Sequence, residues 1–366
     1  MIIECIKEKL VYAISKAERI TGKNITLPIL SCVLLEAHDS VLTIKATNLD
    51  LGVEISLPVK VVKSGKVAVS GSVLYNFISN LTSDKNITLE EVAGNLKVST
   101  KHSESLIKAH PTDDFPTIPR VESETPFTFN VPNLLKGFKS VMYSSSVSTI
   151  RPVLSSVLLA SESDSVVFVA TDSFRLSEKR VSVKKPKEFT QILIPFKNIG
   201  EIIRTLEDIK EDVTVNLNEN QISFSYGDIY ITSRVIDGVF PDYKQFIPKE
   251  VKTDVIVLKQ DFVSALRISN IFSDKFSQVT FHISPKEKMF KITTKNMDIG
   301  ENINKLDAVI KGEDLTISFN YKYIIDCFQS IDADSISLSF SDTSKPMVIR
   351  GISDKSFLYL VMPMNK

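Results

Sequence analysis

The segment GSVLYNFISNL at residues 71–81 returns in altered form as FKNIGEIIRTL at 196–206 and as NYKYIIDCFQSI at 320–331. In each copy, four apolar residues follow the spacing i, i+3, i+4 and i+7, which puts them on one face of a helix. The four positions of the first copy are Leu74, Phe77, Ile78 and Leu81. Because the later sets lie 125 and 250 residues further along, the pattern predicts three tandem copies of one domain.

Other segments recur at nearly the same interval. LPILSCVLLEA at 27–37 matches RPVLSSVLLAS at 151–161, and the tripeptide at 46–48 returns at 170–172 and, more loosely, at 294–296. The apolar stripes predict six helices, at 6–20, 71–81, 132–142, 196–206, 259–269 and 321–331. Segments of alternating polarity between them predict short strands. The fold class is therefore α+β, with two helices in each domain.

Polar segments containing proline and charged residues join the three copies, PRVESETP at 119–126 and IPKEVKTD at 247–254. They predict domains at 1–123, 124–250 and 251–366. Neither joint is a flexible Gly/Ser linker, so we expect the domains to be rigidly docked.

The chain has 366 residues, of which 43% are hydrophobic, a composition that fits a globular protein and excludes disordered and fibrous classes. No apolar run is long enough to span a bilayer. Charged residues interrupt the first twenty positions, unlike the apolar core of a signal peptide. We therefore expect a cytoplasmic protein without a membrane segment.

The sequence contains none of the motifs GxGxxG, GxxxxGK[ST], GxSxG or HExxH. Its three cysteines and four histidines are scattered, without the spacing of metal ligands. The carboxylate pairs Asp113-Asp114 and Asp332/Asp334 favour turn or capping roles. We expect no catalytic residue, no metal and no cofactor. An enzyme would need a site assembled from distant segments, which no pattern here predicts.

Basic residues concentrate in the predicted helices. These segments hold eleven Lys or Arg and five Asp or Glu, while the whole chain is neutral with 44 of each. Most of the basic side chains lie away from the apolar stripes. Exposed Lys and Arg are also common on ordinary helices, but their recurrence in three repeats favours a surface facing the phosphates of a polyanion. Tryptophan is absent, which favours duplex over single-stranded nucleic acid.

Several segments together resemble one family, the bacterial DNA polymerase III beta subunit, which is the replication sliding clamp. The segments are LPILSCVLLEA (27–37), ATNLDLGVE (46–54), HPTDDFPTIP (110–119), RPVLSSVLLA (151–160), ATDSFRLS (170–177), DGVFPDYKQFIP (237–248), FNYKYIIDCF (319–328) and VMPMNK (361–366). The resemblance implies the DNA clamp fold, in which the two helices of each domain pack on antiparallel sheets. It also implies a head-to-tail homodimer whose six domains form a ring around duplex DNA, with the helices lining the hole.

The implied function is that of a processivity factor that holds DNA without reading its sequence. The candidate DNA-facing residues are Lys9, Lys16, Arg19, Lys23, Lys136, Lys139, Arg151, Lys197, Arg204, Arg267 and Lys322. DNA polymerases and the clamp loader are the implied protein partners, bound through short linear motifs in a cleft. By resemblance, the walls of this cleft are Leu154, Thr171, Ser173, Phe174, Arg175, Leu176, Pro241, Phe246, Asn320, Tyr323, Pro346, Val348, Leu360, Met362, Pro363 and Met364.

For the dimer interface, the resemblance implies apolar contacts by Leu106, Ile107, Ile271 and Phe272. Nearby charges at Lys101, Lys108, Asp298 and Glu301 could help to set the register. Three residues depart from the family pattern: Phe174 replaces a common His, Gln245 replaces a common basic residue, and Asn365 follows the last Met-Pro-Met where Arg is frequent. The alternative function is a three-domain scaffold that binds peptides but no nucleic acid.

Overall fold

The computed structural model describes residues 1–22, 27–82, 85–123, 126–183, 189 and 191–364. Its elements occur in three similar series. The first contains β1 (Ile2–Ile6), α1 (Lys7–Ile20), β2 (Cys32–His38), β3 (Val41–Thr47), β4 (Leu51–Pro58), β5 (Lys60–Lys63), β6 (Gly65–Ser70), α2 (Gly71–Ser79), β7 (Asn86–Val92), β8 (Asn95–Ser99), β9 (Glu104–Ile107) and β10 (Ala109–His110).

The second series contains β11 (Phe127–Asn130), α3 (Val131–Val141), β12 (Ser156–Glu162), β13 (Ser165–Thr171), β14 (Arg175–Ser182), β15 (Ile192–Pro195), α4 (Phe196–Leu206), β16 (Asp212–Leu217), β17 (Gln221–Tyr226) and β18 (Ile229–Arg234). The third contains β19 (Thr253–Leu258), α5 (Lys259–Ile271), β20 (Gln278–Ser284), β21 (Met289–Asn296), β22 (Gly300–Leu306), β23 (Ala308–Gly312), β24 (Leu315–Asn320), α6 (Tyr321–Ile325), β25 (Ser335–Phe340), β26 (Met347–Gly351) and β27 (Phe357–Val361).

Each of the six segments predicted as helical contains a helix. In α4 the whole predicted stripe is buried, namely Ile199, Ile202, Ile203 and Leu206. The last helix is shorter than predicted, because α6 ends at Ile325 and Asp326–Ser330 continues as a 3₁₀ helix. No described helix is both long and apolar enough to cross a membrane. The predicted α+β class is confirmed.

The strands form four antiparallel sheets, and two of them continue from one repeat into the next. The first nine-stranded sheet has the order β10-β6-β2-β3-β4-β18-β17-β16-β11, and the second has the order β15-β12-β13-β14-β27-β26-β25-β19-β23. We call the β4–β18 junction the first seam and the β14–β27 junction the second seam. The other two sheets, β5-β1-β7-β8-β9 and β22-β21-β20-β24, each remain within one repeat.

The chain divides into two compact units, Met1–Pro132 with Lys197–Val235, and Asn133–Phe196 with Ile236–Lys366. Each unit contains one nine-stranded sheet. The second repeat is therefore shared, because its strands β11 and β16–β18 belong to the first unit and β12–β15 to the second. The limits of the compact units are set by the hydrogen-bonded sheets. The domain boundaries predicted at 124 and 250 instead mark the points where the sequence repeat starts again.

The repeat extends to individual hydrogen bonds. Thr47 Oγ1 donates to the carbonyl of Leu51 at 2.9 Å, and Thr171 Oγ1 donates to the carbonyl of Arg175 at 2.7 Å. In both turns the hydroxyl holds the two strands of a hairpin at the same place. The similarity between segments 46–48 and 170–172 is thus a similarity of turn structure.

Helix α3 lies very close to strand β13 because of a glycine. A Cβ atom on Gly137 would lie only 2.5 Å from the ring of Phe168, so any larger residue would push the helix away. The neighbouring Phe138 packs edge-on against the same ring, with 5.3 Å between centroids. This contact leaves Lys136 and Lys139 on the exposed side of the helix.

Candidate functional site

A cavity of about 410 Å³ opens beside the second seam. Eleven of the sixteen predicted cleft residues line it, together with two residues that were not assigned to the cleft. The lining residues are Arg151, Leu154, Thr171, Ser173, Phe174, Arg175, Leu176, Pro241, Tyr243, Phe246, Pro346, Leu360 and Met362. They come from the segment before β12, the β13–β14 turn with the adjoining strand ends, the segment before β19, the residue before β26 and the end of β27.

The turn between β13 and β14 forms one wall, and its backbone is fixed by side chains. Asp172 Oδ1 accepts hydrogen bonds from the backbone N–H groups of Phe174 and Arg175, at 2.9 and 3.0 Å. Ser173 adopts a positive φ of 79°, and its N–H donates to Thr171 Oγ1 at 3.2 Å. Asp at this position is typical of turns because its short side chain can cap the following N–H groups. The wall is therefore preformed.

Arg175 brings a positive charge to the cavity, but that charge is neutralised within the protein. Its Nε donates to Asp172 at 3.0 Å, a terminal nitrogen pairs with Asp326, and another donates to the carbonyl of Tyr143 at 2.6 Å. Burial acts to lower the pKa of Arg175, while Tyr359, Asp326 and Asp172 raise it more strongly, so the pKa lies above its ordinary value. Arg175 thus contributes a side chain whose charge is already paired within the protein.

The backbone of the residues after β27 remains hydrogen-bonded to neighbouring segments where it passes the cavity. The N–H of Met362 donates to the carbonyl of Phe174, and the N–H of Met364 donates to the carbonyl of Ser318, both at 2.8 Å. Because two hydrogen bonds hold this segment, the exposed side chain of Met362 is presented to the cavity from a fixed backbone.

The other five predicted cleft residues do not line the cavity. Val348 is buried in the cluster beneath it. Asn320 caps α6 by accepting from the N–H of Lys322 at 2.9 Å. Tyr323 stacks on Phe174, and Pro363 and Met364 continue beyond Met362 without reaching the cavity.

Two lining residues, Tyr243 and Arg151, were not predicted as part of the cleft. Tyr243 is buried and packs against Phe240, with 6.4 Å between ring centroids. It belongs to the DGVFPDY segment, so the repeat could have identified it. Arg151, which was predicted to face DNA, is also one of the residues that line the cavity. It lies in the turn before β12 rather than on a helix, which is why the helical argument did not apply to it.

At the equivalent position of the first seam, a side chain covers the strand. Gly52 pairs with Thr232 there, as Leu176 pairs with Leu360 in the second seam. A Cβ atom on Gly52 would lie 2.9 Å from Cγ2 of Ile118, so the side chain of Ile118 lies directly over the strand. The same pairing of strands therefore has a cavity beside it at the second seam and the side chain of Ile118 packed over it at the first.

Most of the candidate DNA-facing residues on helices are exposed. Lys9, Arg19, Lys139, Lys197, Arg267 and Lys322 all reach solvent. Two more are exposed but paired: Lys136 contacts Asp332 at 2.6 Å, and Arg204 pairs with Glu201. Lys23 lies outside the described residues. The structure brings Lys16, Arg19 and Arg204 together where α1 and α4 meet, around a small polar pocket of about 110 Å³.

The prediction for Lys16 is wrong with respect to exposure, because this side chain is only 7% exposed. Its Nζ donates to the carbonyls of Arg204 and Thr205 at 3.1 and 2.8 Å and pairs with Asp208 at 3.1 Å. These carbonyls end α4, where unpaired acceptors and the helix dipole attract a cation. Its hydrogen bond lowers the pKa of Asp208. Lys16 therefore joins α1 to the end of α4.

Three of the four predicted dimer residues expose apolar surface. Leu106 is 57% exposed and Ile271 63%, while Phe272 is half-buried. Ile107 instead packs into the interior of its own unit. Leu106 lies on β9 and Ile271 ends α5. In the described parts of the chain, the outer edges of β9 and β22 have no neighbouring strand.

Three family models match successive parts of the chain. The N-terminal domain of the DNA polymerase III beta subunit matches residues 1–119, the central domain matches 130–242, and the C-terminal domain matches 244–365. The chain belongs to the bacterial DNA polymerase III beta subunit family. The resemblance inferred from the sequence is therefore confirmed, together with the clamp fold and its three tandem domains.

Relatives of similar length support the same family. The beta sliding clamp of Synechococcus elongatus is 25% identical over 372 residues, covering 100% of this chain and 99% of the relative. That of Synechocystis is 27% identical, covering 99% of this chain and 98% of the relative. The crystal structure of the DNA polymerase III beta subunit from Thermotoga maritima is 26% identical with a TM-score of 0.94, covering 100% of this chain and 99% of that one. The sliding clamp of Bacillus subtilis shares the fold at 23% identity and a TM-score of 0.95, with 100% and 99% coverage.

Membership of the beta subunit family does not favour the alternative of a scaffold without nucleic-acid binding. Among the described residues, no group of three His, Cys, Asp or Glu side chains is arranged to hold a metal ion. The three cysteines are all buried and unpaired.

Proposed function

We propose that this protein is a processivity clamp: two copies close a ring around duplex DNA and tether polymerases and the clamp loader. Short linear motifs of these partners bind the cavity at the second seam. The exposed Lys and Arg of the helices contact phosphates without reading sequence. The protein acts in the cytoplasm, without catalysis of its own, and consists of domains 1–123, 124–250 and 251–366.

The observation that carries the proposal is the number of seams. Three repeats joined in a row make two seams within the chain. At the ends of the series, β9 of the first repeat and β22 of the third correspond to strands that pair at the seams, and among the described residues neither has a neighbouring strand on its outer edge. Exposed edges attract another strand. A second copy in head-to-tail orientation pairs its β22 with β9 of the first copy and its β9 with β22 of the first copy. This gives a closed dimer with two-fold symmetry rather than a filament.

The two seams within the chain predict the register of the third. Each has the same backbone bond, from the N–H of Arg234 to the carbonyl of Asp50, and from the N–H of Met362 to that of Phe174, both at 2.8 Å. In the third repeat Lys295 pairs with Glu301, as Thr47 pairs with Gly52 and Thr171 with Leu176, so Glu301 corresponds to Gly52 and Leu176.

Carrying the pairing over places Leu106 of one copy opposite Glu301 of the other, and Glu104 opposite Ile303. All four side chains are exposed within one chain, as residues on one face of a sheet should be. Lys108 then lies opposite Ile299, the residue next to Asp298.

Cross-linking tests this register. The double variant Glu104→Cys/Ile303→Cys should form a disulfide between copies, because opposed residues have Cα atoms about 4.5–5.5 Å apart. The matched control Glu104→Cys/Lys305→Cys is displaced by two residues on the same face and should not. The native cysteines are buried and do not interfere. Efficient cross-linking of the control alone would contradict the register.

Retention on DNA tests enclosure. Protein loaded onto nicked circular duplex should remain bound through gel filtration and should be lost when the circle is cut once. The physical reason is that a ring can leave only over a free end. Equal retention on the linear product would show that binding does not depend on topology, and the proposal would then be wrong.

A further inference from the structure

Phe174 has a second role in the cleft, visible in the contacts of its ring. The ring lines the cavity and is 57% exposed. It also stacks on Tyr323, with 6.0 Å between centroids and an angle of 11° between planes. Tyr323 itself does not line the cavity. The stacked pair therefore stands between the cavity and the surface beyond it.

The surface beyond the stack carries the remaining exposed or half-exposed residues of the predicted groove. Asn320 and Tyr323 lie there with Met364, whose N–H is bound to the carbonyl of Ser318. A peptide that fills the cavity and continues toward these residues has to pass the Phe174 ring.

The two rings of the stack are held very differently. Tyr323 packs against the guanidinium of Arg175, 5.0 Å from its ring centroid, and Arg175 is fixed by Asp172. The backbone of Phe174 is fixed too, because its N–H and its carbonyl are both hydrogen-bonded, to Asp172 and Met362. Only the side chain of Phe174 is left to move, by rotation about its own χ angles.

We propose that Phe174 is a specificity-determining residue that closes the groove at Tyr323, so that the free protein accepts a short apolar anchor directly but admits a longer peptide only after Phe174 rotates off Tyr323. This inference rests on the proposed peptide-binding function of the cleft. The consequence is that the cleft selects peptides by length. Residues beyond the anchor add less to the affinity of the peptide than their contacts would provide in a groove that is already open.

The size of the effect follows from the cost of unstacking. An aromatic pair contributes enough to change an equilibrium about 2- to 10-fold. For a ligand that binds only the open state, the apparent Kd equals the intrinsic Kd divided by the fraction of protein in that state. When the ring is removed, the factor by which a peptide extension improves the affinity should therefore increase about 2- to 10-fold.

The experiment compares two synthetic peptides by isothermal titration calorimetry or fluorescence anisotropy. The short peptide has the two apolar residues Leu-Phe at its end behind a single labelled alanine, and the long peptide has the same end behind about seven polar residues. The measured quantity is the Kd of the short peptide divided by the Kd of the long one. This ratio cancels whatever Phe174 contributes to holding the anchor itself.

Phe246 provides the matched control. It lines the same cavity and is 55% exposed, but it has no ring stacked on it among the described residues. Phe174→Ala should raise the Kd ratio about 2- to 10-fold above the wild-type value, whereas Phe246→Ala should weaken both peptides and leave the ratio unchanged. Tyr323→Phe retains the stack and should keep the wild-type ratio.

An unchanged ratio in Phe174→Ala, with both peptides still binding, would overturn the inference and leave the proposed cleft intact. An equal rise in Phe246→Ala would also overturn it, since the effect would then be general loosening of the walls. Failure of wild-type protein to bind either peptide would overturn the cleft itself and, with it, the role of Phe174.

Discussion

Lys16 and Lys9 lie on the same helix, seven residues apart, and the structure assigns them opposite roles. Lys9 is exposed, and Lys16 is buried against the end of α4. Replacing each by methionine removes one charge and keeps a long unbranched side chain. We expect Lys16→Met to destabilise the protein without changing its interaction with DNA. We expect Lys9→Met to weaken the interaction with DNA without changing the stability of the protein.

The magnitude for Lys16 follows from its contacts. Its ammonium makes two hydrogen bonds to carbonyls and one ion pair to Asp208. Hydrogen bonds to charged groups contribute about 1.5–3 kcal/mol each, but removing a buried ammonium also removes its desolvation cost. A net loss of about 2 kcal/mol is therefore expected. For a unit of this size it lowers Tm by roughly 4–8 °C.

The same variant has a pH signature. The hydrogen bond from Lys16, followed by its charge, lowers the pKa of Asp208 in the folded protein. A carboxyl group whose folded pKa is lowered contributes stability that is present above its unfolded pKa and is lost as the pH falls through the folded value. The difference in Tm between wild type and Lys16→Met should therefore be full at neutral pH and should shrink below about pH 4.

The assay for DNA is the slope of log Kobs against log salt on a short open-ended duplex, which a ring can thread. Each phosphate contact contributes about 0.9 to this slope. Lys9→Met should reduce the slope by up to about 1 per protomer with no change in Tm, and Lys16→Met should leave it unchanged. A reduced slope in Lys16→Met, with wild-type Tm, would refute the assignment of Lys16 as an interior contact.

Further predictions concern the two seams. Asp172→Ala removes two backbone hydrogen bonds and one partner of Arg175, so peptide affinity at the cavity should fall about tenfold while circular dichroism stays native. Ile118→Ala leaves a void over Gly52, and chemical denaturation should show a loss of about 2–4 kcal/mol with no change in peptide affinity. Deleting residues 362–366 removes the backbone bonds of Met362 and Met364, so binding of a polymerase peptide should be lost with little change in Tm.

The fold could be predicted because its determinants are local. The stripe at Leu74 and its two copies depend only on residue spacing, and each of them begins in a helix. The matching turns at Thr47 and Thr171 were visible as a repeated tripeptide. Spacing of this kind survives large changes in side-chain identity, since it requires only that the same face be apolar.

Side-chain direction at the site could not be predicted with the same reliability. Helical geometry places Lys16 away from the apolar stripe of α1, yet its ammonium turns inward, because the end of a helix from the second repeat offers two carbonyls and a carboxylate. Arg175 could be placed at the cleft by resemblance, but its neutralisation depends on Asp326, which lies 151 residues away in the chain. Both outcomes arise from tertiary partners that no local pattern contains.

The two seams differ in their side chains rather than in their backbone. Both seams share the same pairing of strands and the same terminal backbone bond. At the first seam, Gly52 and Ile118 fill the space, and Asp50 is held by Arg234, so the seam is a packed joint. At the second, Leu176 takes the position of Gly52 and Phe174 takes that of Asp50, and both line the cavity. The same pairing of strands thus carries different side chains at the two seams, and these place Ile118 over the strand at the first seam and the ring of Phe174 beside a cavity at the second.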